Sequence, residues 1–189
     1  MPLPRLIGNL GLSFASKLSS GYWKTFDPTN GFTAIHAQVA RILPLDQIDH
    51  TYFFESDMLY QLNVTRAVVA DVPMEAIYGE ETSNLQVSKV LVPFALKHTR
   101  NFLKRIFYTY FLRDFSAATL ELLLGVLLLA FGLIFGSVKW YASFAPGIPA
   151  ATGVIILAAL PFLIGSYLII SFLNFDVQNQ PDHPLHLDL

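Results

Sequence analysis

The chain has 189 residues, of which 53% are hydrophobic and 14% are charged, and its formal net charge is −2. This apolar excess excludes an ordinary soluble domain as the whole protein, and the near-zero charge does not indicate a nucleic-acid partner. The absence of cysteine excludes disulfides and thiolate metal sites.

Residues 1–20 are the first predicted element, an amphipathic interface helix. A secretory signal peptide would instead have a compact apolar run and a small-residue cleavage site. The pattern favours contact with a membrane surface and packing on a protein core equally. The apolar side chains that recur at helical spacing are Leu3, Leu6, Ile7, Leu10, Phe14 and Leu18.

Residues 21–87 are predicted to hold any chemistry that the chain performs. Their first feature is a stretch dense in turn-forming residues, from Asp27 to Phe32. Asp27 and Asn30 can bond their own backbone there, and Gly31 can adopt a positive φ. We therefore expect an exposed loop at residues 27–32.

Regular structure is predicted after this loop. Helices are expected over residues 33–43 and from Tyr52 onward, and a short buried strand over residues 66–72. Glu55 and Asp57 lie two residues apart near the start of the second helix, so their side chains point in different directions. These two acids are therefore candidates for separate roles.

Residues 88–115 are predicted to form a basic amphipathic juxtamembrane helix. Such a helix is typical of an anionic lipid surface. A general excess of basic residues on the cytoplasmic side of membrane proteins explains the same pattern without a ligand. The basic cluster consists of Lys97, Arg100, Lys104, Arg105 and Arg113.

Residues 116–173 predict two transmembrane helices, 116–138 and 150–173, because only Glu121 and Lys139 are charged in this stretch. A short turn-rich connection makes the pair a helical hairpin. The basic cluster precedes the first span and only Lys139 lies in the connection, which predicts that both termini are cytoplasmic. Residues 174–189 form a polar C-terminal tail.

Glu121 is a functional candidate because a carboxylate inside an apolar span is costly. It lies about one and a half turns into the first span. The position of Glu121 near the end of the span favours a structural interpretation instead. Glu121 would then reach the lipid headgroups or pair with Arg113 or a neighbouring chain.

Six motifs along the chain resemble, in order, the C-terminal part of bacterial family 2 glycosyltransferases, specifically those akin to dolichyl-phosphate mannose and polyprenyl-phosphate glucose synthases. The motifs are Lys17–Trp23, Asp27–Phe32, Phe53–Asp57, Asp71–Met74, Tyr78–Asn84 and Phe111–Phe115.

The resemblance implies a membrane-bound enzyme of the bacterial inner (plasma) membrane. It would transfer a sugar from a nucleotide-sugar to a polyprenyl-phosphate lipid at the cytoplasmic face. The implied fold is an α/β remnant of a GT-A-like domain, joined to amphipathic interface helices and the two-helix transmembrane hairpin. The implied partners are membrane lipid and polyprenyl phosphate, with no nucleic acid.

The resemblance also implies site residues. Glu55 and Asp57 match the acidic catalytic-region motif, and Asp27, Asn30 and Gly31 match the acceptor-side loop. The segment from Tyr78 to Asn84 would close over the site. The cations implied to contact the lipid phosphate are Arg100, Lys104 and Arg105.

The chain departs from this family in one respect. The family's Rossmann-like nucleotide-binding half, with its Asp-x-Asp metal motif, is absent from this sequence. The complete family enzyme is expected to use Mg²⁺ or Mn²⁺. This chain alone is expected to bind no metal and to be inactive. It is expected to bind the nucleotide-sugar only together with the missing half. The alternative is a non-catalytic membrane scaffold or subunit that binds a full-length relative, and Gly125, Gly132 and Gly136 would support close helix approach. A homo-oligomer is a further possible partner.

Overall fold

A computed structural model describes residues 3–73 and 87–189, without the side chains of residues 3–7, 9 and 87–90. The motif from Tyr78 to Asn84 lies outside the described residues. The chain divides into two compact units, which are described separately. Unit 1 comprises Met1–Thr109 and Asn179–Leu189, and unit 2 comprises Tyr110–Gln178.

Unit 1 is built from four α-helices in its described part. These are α1 (Leu3–Ser20), α2 (Ala37–Ile42), α3 (Phe54–Val64) and α4 (Val87–Ile106), with short 3-10 turns at Leu45–Gln47 and Leu185–Leu187. α1 packs against both α3 and α4. α2 is shorter than predicted because His36 is extended before it and Leu43, which precedes Pro44, is extended after it.

The described residues contain no strand, so the prediction of an α/β remnant is wrong. The apolar run at residues 67–72 looked like a strand, but a strand needs a neighbouring strand for its backbone groups. Here Arg66, at φ 64°, ends α3, and Ala67 N–H donates to Leu62 O over 2.9 Å. Ala67 O accepts from the buried hydroxyl of Tyr22. Loop contacts therefore satisfy both backbone groups of Ala67.

The buried face of α1 is polar. Ser16 Oγ lies 3.1 Å from Ser56 Oγ on α3, and Ser19 Oγ lies 2.8 Å from His98 Nδ1 on α4. Small hydroxyl side chains let the helices approach closely, and each buried hydroxyl needs a partner. The larger apolar side chains of α1, Leu10 and Phe14, are 63% and 58% exposed. α1 thus packs on protein through its serines, while Leu10 and Phe14 stay largely exposed.

The predicted helix over residues 88–115 is a composite. α4 ends at Ile106 and continues as a π-helical segment, Phe107–Arg113. Ser116 is extended at φ −144° and precedes the next helix, so the chain changes direction there. The basic cluster is therefore divided between α4 and the π-helical segment.

Unit 2 contains two helices that are long and apolar enough to cross a membrane, as the sequence predicted. α5 (Ala117–Phe144) has 28 residues and α6 (Thr152–Gln178) has 27. At about 1.5 Å per residue each helix is about 40 Å long, more than a hydrocarbon core of about 30 Å. Gly147, at φ 68°, ends α5 in a left-handed turn that reverses the chain.

Glycines allow α5 and α6 to touch. A Cβ on Gly165 would lie 2.5 Å from Leu129 N, and one on Gly132 would lie 2.7 Å from Phe162 N. Gly125 also faces α6, against Ile169. The glycines that the sequence proposed for close helix approach therefore lie between α5 and α6 of the hairpin. Gly136 is more loosely placed, since a Cβ there would lie 3.5 Å from Ala158 Cβ.

Candidate functional site

Unit 1 contains a cleft of about 320 Å³ between α3, α4 and the loop before α3. α3 contributes Asp57, Tyr60 and Gln61, which the helical repeat places on one face. The remaining lining residues are Gln47 and Asp49 from the loop and Arg100, Asn101 and Lys104 from α4. The structure therefore brings together Asp57, Arg100 and Lys104, three of the residues that the sequence proposed.

Asp57 is held rigidly at the base of the cleft. Its Oδ1 accepts from Asn101 Nδ2 over 2.7 Å, and its Oδ2 accepts from the Asp49 backbone N–H over 2.8 Å. The side chain is 9% exposed. Because both oxygens are bonded, the carboxylate has one fixed orientation.

Asp49 is compensated by its own neighbours. Its carboxylate forms an ion pair with Lys97 and accepts from the backbone N–H and the hydroxyl of Thr51. Desolvation raises the pKa of Asp49, but these hydrogen bonds and the Lys97 charge outweigh it and lower the pKa to about 2. Asp49 is thus ionised near neutral pH, with a cation already beside it.

Arg100 and Lys104 are the two cations that line the cleft. They lie one helical turn apart on α4 and are both exposed. Neither makes a hydrogen bond or an ion pair with any residue that the structure describes. Tyr60 lies beside them, and desolvation followed by the Asp57 charge raises its pKa, so its hydroxyl stays a hydrogen-bond donor. The cleft therefore offers donors to an anion.

Arg105 does not belong to this group. It is 2% exposed, and its Nη2 donates to Leu18 O over 2.9 Å. Arg105 lies about 100° around the helix from Lys104 and faces α1 instead of the cleft. The resemblance placed it at the lipid phosphate, whereas the structure gives it a packing role between α4 and the end of α1.

The loop at residues 27–32 is exposed and lies beside Glu55. Asp27 Oδ1 accepts from the Thr29 backbone N–H over 3.1 Å, and Asn30 Oδ1 accepts from the Phe32 N–H over 2.9 Å. These side chains hold the turn itself, as predicted. A Cβ on Gly31 would lie 3.5 Å from Glu55 Oε1. Glu55 therefore adjoins the loop and does not line the cleft.

Gly31 does not adopt the positive φ that glycine allows. Among the described glycines, positive φ occurs at Gly21 and Gly147. The turn at Gly31 is closed by the Asn30 side chain, which needs no left-handed residue there.

The described residues contain no group of three or more His, Asp or Glu side chains that could hold a metal ion. Asp49 and Asp57 share the cleft, but the first is paired with Lys97 and both oxygens of the second are bonded. This donor set does not fit Mg²⁺ or Mn²⁺, which require several free oxygen ligands. No step through a metal is derived below.

Sequence reasoning missed Tyr60, Asn101 and Asp49. Tyr60 lies three residues after Asp57 on α3 and could have been found from helical spacing. Asn101 meets Asp57 across 44 residues of sequence, which no local pattern reveals. Asp49 contributes its backbone N–H, which carries no side-chain signature.

No protein-family model, curated protein or solved structure matches the chain significantly. The geometry of the cleft and the apolar helices of unit 2 therefore carry the functional argument.

Proposed function

We propose that the chain is the membrane-anchored, acceptor-binding portion of a glycosyltransferase and that its cleft binds the phosphate of a polyprenyl phosphate. This proposal rests on Arg100 and Lys104, which line the same cleft. Both are exposed cations, and neither has an anionic partner among the described residues. The sugar would come from a nucleotide-sugar bound by another polypeptide segment.

The chemistry of the cleft fits a phosphate monoester. Such a group carries close to two negative charges at neutral pH and several strong acceptor oxygens. Arg100 can donate two parallel hydrogen bonds, whereas Lys104 acts as a compact point charge. The hydroxyl of Tyr60 and the amide of Gln61 line the same space. Together these groups recognise a dianion by charge and by hydrogen bonds.

Asp57 has a positioning role in this proposal. The acceptor phosphate is already ionised, so the reaction does not require a carboxylate to remove its proton. Asp57 instead holds Asn101 and the Asp49 loop in place through its two bonded oxygens. The cleft is thereby preorganised, which lowers the entropic cost of binding.

The surface of α4 supports a lipid as the carrier of the phosphate. Val92, Leu96 and Leu103 are 64%, 67% and 59% exposed and lie on one side of the helix. This apolar stripe runs beside Arg100 and Lys104. An apolar stripe bordered by cations is suited to a bilayer surface with anionic headgroups. The cleft would then open where a polyprenyl phosphate presents its headgroup.

The proposal includes a location. α4 precedes the two helices that can cross a membrane, and Lys97, Arg100, Lys104 and Arg113 lie on that side of the chain. The excess of basic residues favours a cytoplasmic position for this part. We therefore place the cleft at the cytoplasmic face of a bacterial inner membrane, with both termini on that side.

A binding comparison tests the proposal directly. The full chain in mild detergent is titrated with a polyprenyl phosphate and with the polyprenol of the same length. Replacing Arg100→Gln together with Lys104→Gln should weaken phosphate binding by about 100-fold or more, since charge-assisted hydrogen bonds contribute about 1.5–3 kcal/mol each and about 1.4 kcal/mol is a factor of ten. Polyprenol binding should not change.

The matched control removes two positive charges outside the cleft. Lys24→Gln with Arg41→Gln neutralises two exposed cations outside the cleft and should leave the preference for the phosphate intact. Equal affinity of the wild-type chain for polyprenol and polyprenyl phosphate would contradict the proposal.

Catalysis is tested separately. The chain is incubated with nucleotide-sugar and polyprenyl phosphate, with and without a nucleotide-binding half from a family 2 glycosyltransferase. Transfer is expected only when that half is supplied. Transfer by the chain alone would show that the acceptor portion is active by itself.

A second candidate is a non-catalytic membrane subunit. Phe26, Phe32 and Tyr52 of unit 1 are 86%, 83% and 67% exposed, and large aromatic side chains at this exposure favour a protein partner. Co-purification with a full-length glycosyltransferase, lost on Phe26→Ser with Phe32→Ser, would support this function. A chain that stays monomeric beside that enzyme would count against it.

A further inference from the structure

A second cavity, of about 270 Å³, lies within unit 2 between the first turns of α5 and the last turns of α6. We call it the polar cavity, because five of its side chains carry oxygen or nitrogen although the two helices are otherwise apolar. The residues used below are Ser116, Glu121, Ser171, Asn174, Phe175 and Gln178.

Glu121 has no hydrogen bond or ion pair with any part of the chain that the structure describes. It is half-buried and lines the polar cavity. The pairing with Arg113 considered from the sequence is not formed, and Arg113 Nε donates to Asp114 over 2.9 Å. A carboxylate in a helix that can cross a membrane is costly without a counter-charge. No described side chain supplies that counter-charge to Glu121.

Several side chains around Glu121 carry oxygen atoms that can accept hydrogen bonds. Ser116 is the N-cap residue of α5 and lines the cavity. Asn174 Oδ1 accepts from Gln178 over 3.2 Å and retains a second lone pair. The aromatic side chain of Phe175 also lines the cavity, and aromatic rings attract cations. A carboxylate, a hydroxyl, an amide oxygen and an aromatic ring form a receptor for a cation that carries N–H groups.

We propose that the polar cavity binds the primary ammonium headgroup of a membrane lipid. A primary ammonium has three N–H donors, and Glu121, Ser116 and Asn174 each contribute an oxygen acceptor to the lining of the cavity. A choline headgroup has no N–H, and an anionic headgroup would be repelled by the carboxylate. Lipid surrounds a membrane helix at high concentration, and the cavity has the volume of a small headgroup. This site is in unit 2 and is independent of the cleft function.

Lipid retention tests the inference. The full chain is reconstituted in bilayers with equal amounts of phosphatidylethanolamine, phosphatidylcholine and phosphatidylglycerol, extracted gently, and weighed with its bound lipids by native mass spectrometry. Phosphatidylethanolamine should be retained about tenfold over phosphatidylcholine, which corresponds to about 1.4 kcal/mol. Glu121→Gln should abolish this preference.

Asp114→Asn is the matched control. It removes an exposed carboxylate seven residues earlier, outside the polar cavity, and should leave the preference unchanged. Equal retention of the three lipids by the wild-type chain would overturn the inference. The inference would also be overturned if the chain were a dimer that dissociates on Glu121→Gln without any change in retained lipid. The cation beside Glu121 would then be a side chain of a second copy.

Discussion

Asn101 on α4 donates to Asp57 on α3 over 2.7 Å, and this bond joins two helices through residues that are 44 positions apart in sequence. Both side chains are buried, at 4% and 9% exposure. The Asp49 N–H holds the second oxygen of the same carboxylate. The polar walls of the cleft are therefore positioned by one carboxylate with two donors.

The contribution of this hydrogen bond to stability can be measured by swapping the two side chains. Asn101→Asp would place two carboxylates in contact, and Asp57→Asn would weaken two hydrogen bonds. Each single change should lower the free energy of unfolding by about 1–3 kcal/mol, the usual range for a buried group left without its partner. Thermal unfolding in detergent measures the loss.

The double variant with Asp57→Asn and Asn101→Asp is the control for this prediction. It restores an amide donor opposite a carboxylate, and the amide oxygen introduced at position 57 could still accept from the Asp49 N–H. Its stability should approach that of the wild type. Losses that simply add would show that the two side chains do not act as a pair.

Gly21 directly follows the last residue of α1 and lies close to the Arg105 side chain. Its φ is 81°, and a Cβ there would lie 2.8 Å from Arg105 Nη1 and 2.9 Å from Asn63 Nδ2. Gly21→Ala should therefore lower the free energy of unfolding by about 1–3 kcal/mol through backbone strain and overpacking. Chemical denaturation of the full chain would detect this change.

Gly11→Ala is the comparison for that substitution. Gly11 lies within α1, and a Cβ there meets nothing within 4 Å. Alanine should stabilise the helix by about 0.5–1 kcal/mol. If both variants were equally stable, the close approach of Arg105 would not constrain the end of α1.

His98 should make unit 1 sensitive to acid. Burial lowers the pKa of His98 from 6.5 to about 4, and the ring contacts Ser19 Oγ while its Nε2 has no partner among the described residues. Between these two values the unfolded chain binds a proton that the folded chain does not. The free energy of unfolding should therefore fall as the pH decreases from about 6.5 to about 4, by up to about 3 kcal/mol.

Unfolding measured between about pH 4.5 and pH 7 isolates this effect, since Asp49 titrates below that window. His98→Gln should flatten the dependence. His50→Gln removes an exposed histidine and should leave the slope unchanged. A slope that survives His98→Gln would assign the acid sensitivity to other groups.

Local sequence patterns predicted the helices, but the strand that they predicted did not form. The starts of α3, α5 and α6 were expected within two residues, because helical hydrogen bonds join residues close in sequence. The apolar runs did not predict the ends, since α5 continues to Phe144 and α6 to Gln178. The apolar run at residues 67–72 has strand-like composition, but strand formation depends on a partner strand far along the chain. No described residue supplies that partner.

The cleft was predictable in part. The resemblance proposed Asp57, Arg100 and Lys104, and these three residues line one cleft. Helical spacing could have separated Arg105 from them, since it faces α1. The bond from Asn101 could not be foreseen, because it depends on how α3 and α4 pack.

The glycines between α5 and α6 provide the last prediction. A Cβ on Gly165 would lie 2.5 Å from Leu129 N and 2.9 Å from Gly125 O, so Gly165→Ala must push the helices apart and should destabilise the hairpin by about 1–3 kcal/mol. Gly153→Ala on the same helix meets nothing within 4 Å and serves as the control. Because the contact lies within one chain, the loss should not depend on protein concentration in detergent. A loss that disappears on dilution would instead place Gly165 at a contact between two copies.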